Sequence, residues 1–264
     1  MPGDVLRIAI YGAAGRMGTR LIQLIAESPD LALAAAIDRT DHPRLGDDAG
    51  SLAGVGILDV PLTAALDAPA DVAIDFTTPA ASLAFAEVCA ARSVPLVVGT
   101  TGFEPPSRQA IEAHAARIPI LISANFSRAV NLLMRLTGEA ARVLGDAADI
   151  EIVERHHHFK KDAPSGTALR LAEIAAKAIG SERFAHGRHG QVGERPRGEI
   201  GVHALRTGDN PGEHTVVLGL MGECLELTHR ALNRDGFCRG ALDAARYLAG
   251  KPARLYTMDD LLDG

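Results

Sequence analysis

The sequence predicts an α/β protein of two domains, an N-terminal doubly wound parallel sheet and a C-terminal α+β domain built on a mixed or antiparallel sheet. Three observations predict it. From residue 5 to about 124, short apolar runs alternate with amphipathic stretches of helical length, the texture of parallel strands joined by crossover helices. After Asn125 this gives way to a helix-like segment, a β-like run, a histidine cluster and closely spaced strands. A last apolar-periodic stretch at 237–248 has the period of a core-facing helix and is expected to return to the first domain. The expected division is 1–125 plus about 237–264 for the first domain and 126–236 for the second.

Element by element, the first domain should hold strands at 5–10, 31–37, 72–76, 96–98 and 120–123. Helices fit between them at 15–27, 79–92 and 105–117, and the last two open on a proline, whose missing N–H costs nothing in a first turn. In the second domain a helix is expected at 128–144, a strand at 149–154 and a helix beginning near Ser165. Residues 187–199, rich in Gly, Arg and Pro, should form a loop, followed by strands at 200–206, 214–220 and 224–228.

Composition narrows the function classes. The 264 residues are 47% hydrophobic and 23% charged, enough for two modest cores. With 27 Lys+Arg against 33 Asp+Glu, the net charge of −6 offers no field for a phosphate backbone, and 4% aromatics without Trp build no stacking platform. Nucleic acid is not an expected partner. The start, Met1-Pro2-Gly3-Asp4, carries no basic leader, and no apolar run approaches the roughly 20 residues of a membrane span. A cytoplasmic protein without a membrane partner is expected. Cys89, Cys224 and Cys238 form no C-x-x-C pair and leave an odd count, so reduced, buried thiols are expected.

The first predicted strand runs into Tyr11-Gly12-Ala13-Ala14-Gly15-Arg16-Met17-Gly18 and then a helix, the setting that gives such glycines meaning as a dinucleotide loop of a Rossmann-type domain. Gly12 would allow the tight turn, Gly15 the close approach to a pyrophosphate, and Gly18 the packing of helix on strand. Asp38, at the end of the second strand about 20 residues on, is placed to bind the adenosine ribose hydroxyls. Arg39, with Arg16 in the loop, could meet a 2′-phosphate. The plain alternative is a glycine-rich turn with a surface Asp38. Two later loops, Gly99-Thr100-Thr101-Gly102 and Ser123-Ala124-Asn125-Phe126, fall at strand C-termini, where they would reach the nicotinamide half, although each alone also reads as an ordinary turn.

The most unusual stretch is Glu154-Arg155-His156-His157-His158-Phe159-Lys160-Lys161-Asp162-Ala163-Pro164-Ser165-Gly166-Thr167-Ala168. Adjacent histidines on an extended strand point to opposite faces, so they do not converge on a metal, and no metal is expected. Ser165-Gly166-Thr167 at a helix start offers free N–H groups and hydroxyls. With imidazoles and ammonium groups beside it, it suits a carboxylate-bearing substrate. The alternative is a solvated charged turn with an N-cap serine.

Together the loop and the cluster resemble the dihydrodipicolinate reductases, whose pattern includes G-x-x-G-R-M-G and E-x-H-H-x-x-K-x-D-A-P-S-G-T-A. The likeness continues through Asp75-Phe76-Thr77, Gly99-Thr100-Thr101-Gly102-Phe103, Asn125-Phe126-Ser127, Gly212-Glu213-His214-Thr215, Phe237, Gly240-Ala241 and Leu255-Tyr256, nearly the whole chain. The resemblance implies NADH- or NADPH-dependent reduction of 4-hydroxy-tetrahydrodipicolinate in lysine and diaminopimelate biosynthesis, by a homotetramer acting on a small dicarboxylate. It implies that His156 is the proton donor and acceptor and Lys160 a proton donor, while His157, Gly166 and Thr167 hold the substrate. Cofactor contacts are implied at Gly12, Ala13, Ala14, Gly15, Arg16, Met17, Asp38, Arg39, Gly99, Thr100, Thr101, Ser123, Ala124, Asn125 and Phe126. It assigns no role to His158 or Phe159.

Overall fold

A computed structural model describes residues 5–233 and 235–264 and divides the chain into two compact units, 1–128 with 235–264, and 129–234. Met1-Pro2-Gly3-Asp4, on which the expectation about a leader rests, lies outside the described residues.

The first unit alternates strand and helix in order: β1 (Leu6–Tyr11), α1 (Arg16–Ala26), β2 (Leu31–Ile37), α2 (Ala49–Ala53), β3 (Leu62–Thr63), β4 (Val72–Asp75), α3 (Pro79–Arg92), β5 (Leu96–Val98), α4 (Pro105–Ala113) and β6 (Ile120–Ile122). After the second unit come α7 (Asp235–Leu248), β12 (Leu255–Tyr256) and α8 (Met258–Asp263). The strands form one parallel sheet in the order β12-β6-β5-β4-β1-β2-β3, so the chain reverses direction of growth between β1 and β4. Both faces of such a sheet must be covered. One carries α1 and α7, with Leu21, Ile22, Leu24, Ile25, Leu242 and Leu248 buried against it. The other carries α3 and α4, with Phe85, Cys89 and Ile111 buried. Arg20 of α1 forks onto Asp235 at 2.7–2.8 Å, tying the returning helix to the first.

The second unit holds α5 (Arg128–Leu144), β7 (Asp149–His156), α6 (Gly166–Ile179), β8 (Phe184–Ala185), β9 (Ile200–Arg206), β10 (Glu213–Leu220) and β11 (Glu223–Arg230). Its sheet runs β11-β10-β7-β9-β8 and is mixed, with β10 antiparallel to both neighbours and β7, β9 and β8 mutually parallel. β7 alternates as a half-buried strand should: Ile150, Ile152, Glu154 and His156 are buried, and the residues between them are not. Ala168, Leu171, Ala172 and Ala175 of α6 pack on that buried face. The 187–199 segment is the expected loop, held down by Arg188 between Glu151 and Glu199 and by Arg195 on Asp149.

Some expectations need correction. The strand expected at 149–154 continues to His156, because β9 keeps pairing with it through His156↔Arg206. The helix expected at 105–117 ends at Ala113 and finishes as a 3₁₀ turn over His114–Ala116. Cys89 and Cys238 are buried, but Cys224 is exposed, because β11 is an edge strand with almost every residue in contact with solvent. Among the described residues no helix is long and apolar enough to cross a membrane.

Candidate functional site

In the first unit, the loop between β1 and α1 is built around its own backbone. The N–H groups of Gly12 and Ala13 both donate to Ile37 O, and Gly15 N donates to Gly12 O. Gly12 turns at φ +81°, and a Cβ on Gly18 would fall 2.2 Å from Gly12 O, so this turn tolerates no side chain at Gly18. Asp38 holds the loop to the end of β2, accepting from Ala14 N at 3.0 Å and from Arg39 N at 2.9 Å. With those donors engaged, the N–H groups of Arg16 and Met17 open the first turn of α1. That helix starts at Gly15 with no side-chain cap and no acid in its first turn. An uncapped helix start beside a glycine turn fits a pyrophosphate. Arg16 is exposed, and Arg39 is exposed and paired with Asp41 at 3.1 Å.

The two later loops lie where β5 and β6 end. Asp75, the last residue of β4, is fully buried and accepts from Thr77 Oγ1 at 2.6 Å, from Ser82 Oγ and from Thr100 Oγ1 at 3.4 Å. Thr77 N donates in turn to Thr100 Oγ1 at 2.8 Å. Burial pushes the Asp75 carboxyl up to about 6 against the pull of these three hydroxyls. Thr100 is therefore held in place, while Gly99 is half-buried and Thr101 exposed. In the β6 loop, Ser123 Oγ donates to Asn125 O at 2.8 Å, Asn125 Oδ1 accepts from Ser127 N at 2.9 Å, and Ala124 is exposed. Phe126 is buried edge-on to Phe76 at 5.9 Å, so only its backbone can face a ligand.

In the second unit, His156 ends β7 with its Nδ1 2.6 Å from Glu154 Oε2. Glu154 is fully buried, and its two oxygens also receive Arg206 Nη1 and Nη2, each at 2.9 Å, and Ser165 N at 3.0 Å. Burial alone would raise this carboxyl, but the Arg206 fork and then His156 outweigh it and hold it below the usual carboxylate range. Ser165 caps α6 by accepting from Ala168 N at 3.2 Å, and its Oγ lies 2.9 Å from His214 Nε2. Gly166 and Thr167 follow Ser165 in the first turn of α6, the end of a helix that favours an anion. His214 stacks edge-on to His156 at 5.3 Å, and burial, reinforced by His156, pushes it down to about 4. It is neutral at neutral pH. The buried Nδ1 atoms of His157 and His214 have no hydrogen-bond partner among the described residues, so a polar ligand would satisfy them. Lys160 pairs with Asp162 at 2.8 Å and is mostly covered, whereas His158 Nδ1 meets Gly208 O at 3.0 Å and its ring stacks on an exposed Phe159.

Each set of predicted residues is thus gathered within its own unit. Sequence reasoning read Ser165 as part of a helix-start anion site or as an N-cap, and the cap is what the structure shows; it gave Glu154 and His214 no role beyond their motifs, and it placed Arg206 only in a strand. Arg206 has no local signal: it reaches the site through strand register, 50 residues along the chain from His156.

Comparison with known proteins follows this geometry. The family model described as dihydrodipicolinate reductase, N-terminus, matches residues 6–126, and its C-terminus counterpart matches 129–262. A curated 4-hydroxy-tetrahydrodipicolinate reductase of Anaeromyxobacter sp. (strain Fw109-5) is 51% identical, covering 98% of both chains. One from Myxococcus xanthus (strain DK1622) is 48% identical, again over 98% of both. Among solved structures, dipicolinate-bound dihydrodipicolinate reductase from Paenisporosarcina sp. TG-14 superposes with a TM-score of 0.76 at 25% identity, covering 96% of this chain and 97% of that one. An amine dehydrogenase from Mycobacterium smegmatis shares the fold with a TM-score of 0.62 at 13% identity, covering 97% of this chain and 96% of that one. The fold is therefore common to several dehydrogenases, and the family is set by the match along the whole sequence: this chain belongs to the dihydrodipicolinate reductase family.

Proposed function

We propose that the chain reduces 4-hydroxy-tetrahydrodipicolinate to tetrahydrodipicolinate, with loss of water and with NADH or NADPH as reductant, as a step of lysine and diaminopimelate biosynthesis. The observation that carries this reading is the run from Glu154 to Ala168. There an imidazole on a buried carboxylate, a lysine and the serine-capped start of α6 follow one another in one unit.

The bound nicotinamide supplies the hydride. The rest falls to the chain. In the first unit, Gly12, Ala13, Ala14, Gly15, Arg16 and Met17 cradle the pyrophosphate, and Asp38 takes the ribose hydroxyls with the oxygen lone pairs left by Ala14 and Arg39. Arg39 and Arg16 reach a 2′-phosphate when one is present. Gly99, Thr100, Thr101, Ser123, Ala124, Asn125 and Phe126 line the nicotinamide half. In the second unit, Gly166 and Thr167 bind one substrate carboxylate at the α6 start, and His157 supplies a further polar contact. The solved Paenisporosarcina relative holds dipicolinate, a ring dicarboxylate of the same class. His156 exchanges the proton that accompanies the hydride, as suits an imidazole near neutral pH. Lys160 donates to the hydroxyl that leaves as water, its exposed partner Asp162 holding it only by a solvent-screened pair.

On this reading the first unit is the dinucleotide-binding domain and the second the substrate-binding and oligomerisation domain of a cytoplasmic homotetramer. The direct test is NADH and NADPH oxidation by the purified chain, given the condensation product of pyruvate and aspartate semialdehyde. Substrate-dependent oxidation is expected. Folded protein that oxidises neither cofactor would refute the reading.

A further inference from the structure

His156 is known by its place in the site, but a histidine can serve a substrate from either nitrogen, and the surroundings decide which. Glu154 receives four contacts on two oxygens. Oε1 accepts from Ser165 N at 3.0 Å and Arg206 Nη2 at 2.9 Å, and Oε2 accepts from Arg206 Nη1 at 2.9 Å beside His156 Nδ1 at 2.6 Å. Arg206 is itself fixed, donating to Leu205 O at 2.7 Å and Asp162 O at 2.6 Å. A buried carboxylate facing a guanidinium fork is ionised and acceptor-only. It has no proton to give, so the hydrogen in the Nδ1 contact belongs to the imidazole. That leaves Nε2 as the basic nitrogen of the neutral ring.

The surroundings of Nε2 agree. It faces Gly212, where an added Cβ would stand 2.9 Å away, closer than real side-chain carbons come. Gly212 is in turn held by its N–H on Asn210 Oδ1 at 2.8 Å.

We infer that Glu154, anchored by Arg206, is a positioning residue that locks His156 in the Nδ1–H tautomer, so that Nε2 alone exchanges the substrate proton past a glycine kept clear of it. Glu154 contacts the His156 ring and Arg206 contacts Glu154, so the effect of both passes through the ring. This rests on the function proposed above.

The test is nitrogen-15 NMR of His156 in the full-length parent and in Glu154→Gln, with kinetics on both and on Gly212→Ala. In the parent, the proton is expected on Nδ1. The Gln carboxamide can donate to Nδ1, so Glu154→Gln should raise the Nε2–H population and lower kcat by roughly 10- to 100-fold, the scale for lost outer partners of a held histidine. KM and dinucleotide affinity should change little. Gly212→Ala should lower kcat while the proton stays on Nδ1. A parent with the proton on Nε2 would overturn the inference whether or not any variant folds. So would parental kcat in Glu154→Gln, or a loss of kcat there with the tautomer unchanged. If the parent itself oxidises no cofactor, the functional reading fails instead, whereas an active parent with an indifferent Glu154→Gln removes only the positioning role.

Discussion

A group that passes a proton must be placed to exchange it and be held still, and on the proposed reading those demands fall on different residues. His156 exchanges the proton, and buried Glu154 holds its ring at 2.6 Å. His156→Ala and Lys160→Ala are each expected to lower turnover by at least about 100-fold, the usual scale for a lost acid–base group. Dinucleotide affinity should hold nearly constant, because both residues lie in the second unit and the glycine loop in the first. Affinity falling as far as turnover would make them structural. On the cofactor side two neighbours oppose each other. On the proposed reading, Asp38 favours the free ribose hydroxyls of NADH, while Arg39 offers a fork to the phosphate of NADPH. Arg39 is 66% exposed and only loosely tied to Asp41, so its pull is screened. Both cofactors should be used, within about 100-fold of each other, roughly 3 kcal/mol. In Arg39→Ala, kcat/KM at fixed salt should fall selectively for NADPH; an equal fall with both would show that Arg39 does not read the phosphate. Asp75 gives a pH signature. Folded, it keeps its proton up to about 6, against 3.8 when unfolded. Between those values folding takes up a proton, so this group's contribution to stability falls as pH rises through that window. Asp75→Asn cannot ionise, so its stability relative to the parent should rise by up to about 3 kcal/mol between roughly pH 4 and pH 7. Urea unfolding at both pH values measures it, and a pH-independent difference would contradict it.

At the scale of elements, what the sequence made legible follows from how each element is stabilised. The buried strands β1, β2, β4, β5 and β6 are apolar runs closed by turns, and α3 and α4 begin at prolines, so their existence could be read directly. β3, β8 and β12 have two residues each and α2 has five, too short to show any period; pairing with neighbouring strands makes the first three, and the Asp48 and Gly54 caps bound α2. The end of β7 was hidden for a different reason. Its alternation runs on through Glu154 and His156, polar residues in core-facing positions, and a distant Arg206 compensates the buried carboxylate. The glycine loop was legible because its constraint is steric. Gly18→Ala should put a methyl into Gly12 O, forcing α1 to shift. Overpacking of this kind costs about 1–3 kcal/mol, and dinucleotide affinity should fall at least about tenfold. Unchanged affinity would mean that the turn relaxes and does not set the cofactor site.

For the whole molecule, the second unit's sheet is covered by helices on one face and ends in β11, an edge strand exposed along most of its length. Such an edge needs pairing or cover, which supports association through this sheet. Sedimentation at micromolar concentration should show a tetramer, and a monomer would reject that assembly. The central claim, that this chain moves a hydride from nicotinamide to a ring dicarboxylate and supplies the accompanying proton itself, is tested most directly by isotope accounting in the product. With the reduced cofactor deuterated at the transferring C4 position and the reaction run in ordinary water, the account predicts tetrahydrodipicolinate carrying a single deuterium per turnover, and none when the label is in the cofactor's other positions. Product formed without that deuterium, or labelled cofactor left unconsumed by folded protein, would contradict it.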